Sequence, residues 1–129
     1  MPKVGTKTRI LDAAEHLFAT RGVSGASIRA ITARAKVNLA AIHYHFGSKE
    51  SVLESVLSRR LIPLNAERLA LLEEYERRSK NSTVALPKVI EALVGPALRV
   101  SRDSKKGGDL FMKLLGRLVL EPDEKIQSL

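Results

Sequence analysis

The feature that most constrains the fold of this chain is a pair of short helical segments joined by a tight turn, within residues 27–53. Ser27 is placed to cap the first segment, and Asn38 is placed to cap the second, which is predicted at roughly 39–45. The pair Gly47-Ser48 then breaks the chain, and its serine is placed to cap a longer helix. Two helices of about eight residues joined in this way must cross closely, and they hold the second one clear of the body.

Side chains of the two short helices divide into a buried face and a bare one. Apolar residues at helical spacing are predicted to face inward: Ile28, Ile31, Ala35, Val37, Leu39, Ile42 and Phe46. The opposite stripe of the second helix is small, or aromatic with hydrogen-bonding groups: Ala40, His43, Tyr44 and Gly47. A face of this kind is typical of a helix that enters a DNA groove.

Charge is unevenly distributed along the chain, whose formal net charge is +8. Residues 1–49 hold eight Lys or Arg against two acids, whereas residues 50–129 hold fourteen against twelve. The basic excess therefore lies in the first 49 residues, and a polyanion such as DNA is the natural partner. The alternative from charge alone is a solvated basic surface without a partner.

Side-chain chemistry on and after the second short helix suggests specific contacts with DNA. The methyl groups of Ala40 and Ala41 are suited to thymine methyls, and His43 and Tyr44 to phosphates or base edges. Lys49 lies in the first turn of the following helix, where a cation opposes the helix dipole at a cost of roughly 0.3–1 kcal/mol. That placement is explained if a phosphate binds there, between the ammonium and the free backbone N–H groups.

Helical periodicity extends through almost the whole chain, and no segment has the alternation of a strand, so an all-α fold is predicted. Pro63 is expected to kink or interrupt the long helix, and Gly95-Pro96 to disturb the next one. Residues 79–83 are predicted to be a linker, and a further helix is expected to start at Glu121. The predicted elements are a first helix ending at Gly22, helices over 27–35 and 39–45, a long helix from Ser48, a helix from 83–87 to about Val100, a loop over 102–109, and a helix over 110–120.

Several classes of protein are disfavoured by the sequence. The chain has no cysteine, which excludes disulfides and thiolate metal sites. No apolar run approaches the roughly 18 residues of a bilayer span, and no secretory signal is evident, so a soluble cytoplasmic protein without membrane contact is expected. His43 and His45 lie two apart and would point to different helix faces, so no metal is expected. His45 is predicted to be a buried or half-buried hydrogen-bonding residue, with a DNA contact as its alternative. Catalytic residues, an enzyme activity and a cofactor are not predicted, because no carboxylate pair, nucleophile triad or phosphate-binding glycine loop is present.

Three segments at characteristic spacing carry a family resemblance: residues 9–22, residues 27–31 and residues 44–50. Together they make residues 7–62 resemble the DNA-binding domain of the tetracycline-repressor (TetR) family of bacterial transcription regulators. The resemblance implies a homodimer that binds a palindromic operator in double-stranded DNA. It also implies a C-terminal helical domain for dimerisation and for binding a small-molecule effector. The chain is accordingly divided into a helix-turn-helix domain at 1–47 and a regulatory domain at 48–129.

The same resemblance assigns roles to individual side chains. Contacts to phosphate are implied for Ser27, Tyr44 and Lys49, and a contact to base or phosphate for Arg29. Positions that read bases are implied for Leu39, Ala40 and His43. Arg34 and Lys36 could make additional phosphate contacts or could simply keep the surface soluble. The alternative for Tyr44 is packing in the core. The alternative for Arg29 is a solvated position on the helix surface.

This chain departs from the family pattern in three respects. Lys36 stands in the turn where the family usually has glycine, and a left-handed conformation there would cost on the order of 1 kcal/mol. Thr32 stands where the family has a small alanine, so its hydroxyl needs a partner. Family chains are also usually longer, so this one is expected to be a fragment or an unusually short member, with an incomplete regulatory domain.

The function predicted from these observations is a ligand-responsive repressor with the helix 39–45 in the major groove. Residues 37–50 and 111–117 resemble a subgroup whose members include some that respond to fatty acyl ligands, which implies an apolar or fatty acyl effector. The sequence identifies no effector-binding residues. Two other hypotheses stay open: a non-specific basic DNA-binding protein, and a small helical ligand-binding module with a vestigial helix-turn-helix.

Overall fold

Helices make up most of the computed structural model, which describes residues 4–80 and 82–121. No strand occurs within those ranges, and the predicted all-α class is confirmed. Every helix in the same ranges falls short of the combined length and apolarity that a bilayer crossing requires. The α-helices are α1 (Thr6–Gly25), α2 (Ile28–Ala35), α3 (Leu39–His45), α4 (Lys49–Arg78), α5 (Leu86–Arg102) and α6 (Gly108–Leu120).

Two compact units divide the described residues. The first consists of residues 4–58 and 110–121, and the second of residues 59–80 and 82–109. Aliphatic side chains from α1 to α4, together with Leu114 of α6, form the buried core of the first unit. The functional division into 1–47 and 48–129 is a separate matter and stays a prediction.

The regular part of α1 ends at Gly22, the residue predicted to end the first helix. Gly22 has φ 77° and ψ 164°, a conformation that an L-residue rarely adopts, and the last turn of α1 follows this break. Upstream of the break, the predicted apolar face is buried in the core, with Ile10 and Phe18 completely inaccessible to solvent. The break turns the chain towards the loop that leads into α2.

Each of the three predicted N-caps is present. The Ser27 hydroxyl accepts a hydrogen bond from the backbone N–H of Ala30 at 3.0 Å, and the Asn38 side-chain oxygen accepts one from Ala41 at 2.9 Å. Ser48 accepts from the backbone N–H of Ser51 at 3.1 Å, at the start of α4. These caps satisfy backbone donors that a helix start leaves without intrahelical partners.

The turn between α2 and α3 contains a left-handed residue, Lys36, at the position where the family usually has glycine. Lys36 is left-handed, with φ 57° and ψ 48°. Its N–H donates to the Ala33 carbonyl at 3.3 Å, and the N–H of Val37 donates to the Thr32 carbonyl at 3.1 Å. This pair of bonds is the Schellman motif, in which glycine is the usual left-handed residue. The Thr32 hydroxyl donates to the Arg29 carbonyl at 2.8 Å, so its need for a partner is met within α2.

Burial of α3 differs from the prediction at two residues. Ile42 is fully buried as predicted, but Leu39 is 47% exposed rather than inward-facing, because it is the first residue of a helix that projects beyond the core. His45 is exposed rather than buried or half-buried. It is the last residue of α3, and the residue after it, Phe46, is the one that packs against the core.

Prolines do not interrupt the long helices. Both α4 and α5 continue as helices through Pro63 and through Gly95-Pro96, so the alternative of an interruption at Pro63 is wrong. A kink at Pro63 and a disturbance at Gly95-Pro96 stay predictions. A proline φ near −65° is itself helical, which is compatible with a helix that continues past the missing backbone donor. Within the predicted 102–109 loop, residues 104–106 form a 3₁₀ turn. The predicted linker includes residue 81, and the helix predicted from Glu121 includes residues 122–129; those residues lie outside the described ranges.

The second unit has a small core and a large exposed apolar surface. Leu64, Ala92 and Pro96 are buried, and Arg68 donates to the Leu93 carbonyl at 2.8 Å. On α5 an apolar stripe at helical spacing is 43–69% exposed in its individual residues. The residues of this stripe are Leu86, Ile90, Leu93, Val94 and Leu98.

A half-buried histidine of α1 lies among cations of the first unit. Burial lowers the pKa of His16 below its ordinary value, and the positive charges of Arg34, Arg21 and Lys113 lower it further. These cations come from α1, α2 and α6. The neutral imidazole is therefore the form that the fold favours.

Replacing Lys36 by glycine should stabilise the fold. The left-handed conformation costs an L-residue about 1–2 kcal/mol, and glycine's greater freedom in the unfolded chain offsets about 0.5–1 kcal/mol of that gain. We therefore expect Lys36→Gly to raise the free energy of unfolding by about 0.5–1 kcal/mol, measured by urea denaturation. A lower free energy of unfolding than that of the wild type would contradict the assigned turn geometry.

The lowered pKa of His16 predicts a loss of stability in acid. The unfolded chain binds a proton at the ordinary histidine pKa of about 6.5, whereas the folded chain resists protonation until lower pH. The free energy of unfolding should therefore fall as pH drops below that value, and the fall should be smaller in His16→Gln. Parallel pH profiles of the two proteins in urea denaturation would refute the assignment.

Candidate DNA interface

The outer face of α3 is available to a partner. Tyr44 is 85% exposed and Leu39 is 47% exposed, and Ala40 and His43 are also exposed. The alternative that Tyr44 packs in the core is therefore wrong. The Tyr44 ring meets His45 edge-on, with centroids 5.0 Å apart, which holds the phenol on the outer surface. Ala41 is partly buried against the core and so lies at the edge of this face.

The N-terminus of α2 carries two further candidate contacts, Ser27 and Arg29. Ser27 is exposed and uses a hydroxyl lone pair to cap α2, which leaves its O–H free to donate to an anion. Arg29, in the first turn, is exposed as well. A phosphate at this helix end would meet both side chains together with the positive end of the helix dipole.

Lys49 has a partner inside the protein. Its ammonium donates to the backbone carbonyl of Val23 at 2.9 Å, and the residue is half-buried. An ammonium has three donors, so two remain for a phosphate at the start of α4. Glu50, also in the first turn of α4, offsets part of the unfavourable interaction between Lys49 and the helix dipole.

The turn of the helix-turn-helix is held by an arginine to which the sequence assigned no role. The Arg9 guanidinium donates to the Ala35 carbonyl, at 2.7 Å from Nη2 and 3.1 Å from Nε, and to the Lys36 carbonyl at 2.6 Å. A cation at these carbonyls is favourable because they form the negative end of α2. Arg9 is 26 residues from Ala35 in the chain, so no local pattern could have revealed the contact.

Further cations lie around the turn and at the end of α3. Arg34 and Lys36 are exposed, the first on the last turn of α2 and the second in the turn itself. Lys7, another residue without a predicted role, places its ammonium 5.9 Å from the centre of the Phe46 ring. These side chains add positive charge beside the helices of the candidate interface, which suits a polyanion.

Comparison with known proteins finds a family that resembles the N-terminal part of this chain. Residues 10–56 match the family model described as bacterial regulatory proteins, tetR family. The chain is 40% identical over 62 residues to the HTH-type transcriptional regulator SrpR of Pseudomonas putida, a segment that covers 48% of this chain and 29% of that protein. It is 50% identical over 48 residues to the HTH-type transcriptional repressor Rv3405c of Mycobacterium tuberculosis, covering 37% of this chain and 26% of the repressor.

Another relative and two solved structures extend the comparison. The Pseudomonas putida protein named uncharacterized HTH-type transcriptional regulator TtgW is 39% identical over 62 residues, which cover 48% of this chain and 46% of that one. A crystal structure assigned to a tetR family transcription regulator from Shewanella sp. PV-4 matches with a TM-score of 0.59 and 24% identity, covering 97% of this chain and 60% of that one. The multidrug binding protein EbrR, complexed with imidazole, matches with a TM-score of 0.54 and 20% identity, covering 95% and 59%.

These comparisons differ in what they establish. The structural matches, at 20–24% identity, show the fold alone. The sequence matches to the three curated relatives span less than half of this chain and less than half of the length of each relative. Residues 10–56 are therefore similar to the tetR family of bacterial regulatory proteins, and this similarity covers about a third of the chain.

Proposed function

We propose that this protein is a ligand-responsive transcriptional repressor that inserts α3 into the major groove of DNA. The observation that carries the proposal is the contrast between the two faces of α3. Ile42 is completely buried, whereas Tyr44 is 85% exposed beside the exposed Ala40 and His43. A helix that exposes such a face, in a domain matched to DNA-binding regulators, is suited to read base edges.

Each side chain of the interface has a proposed contact. The Ser27 hydroxyl, the Tyr44 phenol and the Lys49 ammonium donate to phosphates. Arg29 reaches a base or a phosphate from the first turn of α2. The base-reading side chains are Leu39, Ala40 and His43, with Ala41 at the edge of the group. Arg34 and Lys36 supply additional phosphate contacts.

The proposed complex contains two copies of the chain on a palindromic operator, in the cytoplasm of a bacterial cell. Two-fold symmetry in the protein matches two-fold symmetry in the DNA, with half-sites about one helical turn apart, near 34–36 Å. Support comes from the named regulators and repressors among the bacterial relatives. The proposed effector is an apolar or fatty acyl small molecule, a chemistry that suits the exposed apolar stripe of α5.

Selection from a pool of random duplexes about three helical turns long tests sequence-specific binding. We expect a palindrome to emerge that binds at least about 1,000-fold more tightly than an unselected duplex at the same salt concentration. Equal affinity for selected and unselected duplexes would favour the non-specific DNA-binding protein. Absence of binding even at low salt would favour the ligand-binding module with a vestigial helix-turn-helix.

Substituting Tyr44→Phe tests the proposed phosphate contact. Loss of one hydrogen bond to a phosphate in each copy, about 1.5–3 kcal/mol apiece, should weaken binding of the two-copy complex by at least about 100-fold, on selected and unselected duplexes alike. Tyr75→Phe removes the same hydroxyl from α4 in the second unit, and its affinity should equal that of the wild type. A changed base preference in Tyr44→Phe, measured by repeating the selection, would refute a phosphate contact.

A further inference from the structure

Arg117 of α6 binds the backbone of α1 next to its break. Its Nε donates to the Ala19 carbonyl at 2.8 Å, and its Nη2 donates to the Thr20 carbonyl at 3.2 Å. Gly22, two residues further on, has left the helical conformation. The guanidinium therefore meets the negative end of the regular part of α1, where a cation is favourable.

Packing and an ion pair hold the Arg117 side chain in this position. Leu110, Leu114 and Leu118 follow one another at i, i+4 and i+8 on α6, and all three pack into the core of the first unit. Nη1 of Arg117 pairs with Glu121 one turn later, at 3.2 Å and 3.3 Å from its two carboxylate oxygens, and 31% of the arginine side chain is exposed. The guanidinium thus makes its hydrogen bonds to the backbone of α1 and to Glu121.

The contact lies beside residues 23–26, the last turn of α1 together with Ala26, which lead directly into the candidate interface. Residues 23–26 join the break in α1 to Ser27, which caps α2. Ala26 is completely buried, and the Val23 carbonyl accepts the hydrogen bond from Lys49. This segment therefore follows directly after the carbonyls that Arg117 of α6 binds, and Lys49 of α4 holds it at Val23.

We infer that Arg117 is a positioning residue for DNA binding. It holds the end of α1, and through residues 23–26 it sets the positions of the Ser27 hydroxyl and of the carbonyl that orients Lys49. DNA affinity is thereby coupled to the seating of α6, although Arg117 does not itself contact phosphate. The inference rests on the proposed function, in which Ser27 and Lys49 bind the DNA backbone.

Binding of the selected duplex by full-length Arg117→Ala, at several salt concentrations, tests the inference. We expect about tenfold weaker binding, a usual size for coupling between sites, with the slope of log affinity against log salt unchanged. Lys49→Ala should instead flatten that slope by about 1.8, because it removes one phosphate contact from each of the two copies on the duplex. Arg102→Ala, which removes the same charge from the end of α5, should bind like the wild type. Arg117→Lys should recover part of the loss, because an ammonium replaces one of the two hydrogen bonds.

Two results would overturn the inference. The first is that Arg117→Ala binds the duplex with the same affinity as Arg102→Ala. The second is that Arg117→Ala flattens the slope of log affinity against log salt as Lys49→Ala does. Amide hydrogen exchange without DNA separates positioning from general destabilisation. Exchange at Ala30, whose N–H is capped by Ser27, should accelerate in Arg117→Ala more than exchange in the second unit does.

The exchange measurement also keeps the inference separate from the proposed function. If the wild type has no preference for any selected duplex, the proposed function fails. Faster exchange at Ala30 in Arg117→Ala would then still support a role of Arg117 in positioning residues 23–26 and Ser27. Unchanged exchange there would overturn that role, whatever the DNA result.

Discussion

Burial of Ile42 is the interaction on which the candidate interface depends. A helix of seven residues is marginal by itself in water, so α3 has to be held by its surroundings. Ile42 is completely buried, while the cap at Asn38 and the positive φ of 86° at Gly47 define the two ends of the helix. Because the inner contact is so small, nearly all of the remaining surface of α3 is left for a partner.

Basic side chains have a structural role in this domain as well as an electrostatic one. Arg9 donates to carbonyls at the end of α2, Arg117 to carbonyls before the break in α1, and Lys49 to a carbonyl after it. Carbonyls at helix ends carry partial negative charge and lack some of their intrahelical donors, so cations stabilise them. The charge that suits a polyanion therefore also fixes the loops that would meet it.

Sequence patterns predicted the helical elements well where the cause was local. The caps at Ser27, Asn38 and Ser48 each bind an N–H three residues away, and the break at Gly22 follows from the freedom of glycine. Periodicity failed for Leu39 and His45, because a repeating pattern assigns faces as if the helix continued. At the two ends of α3, Val37 and Phe46 pack against the core instead, and both helix-end residues are exposed.

The sequence by itself determined the all-α class, the caps, the turn residue and the bare stripe of α3, since these depend on neighbours within about one helical turn. Only the tertiary structure decided what the cations bind. Lys49 meets a carbonyl 26 residues away, and Arg117 meets one 98 residues away. Such partners are set by how the helices pack around the core, and no periodicity or local propensity carries that information.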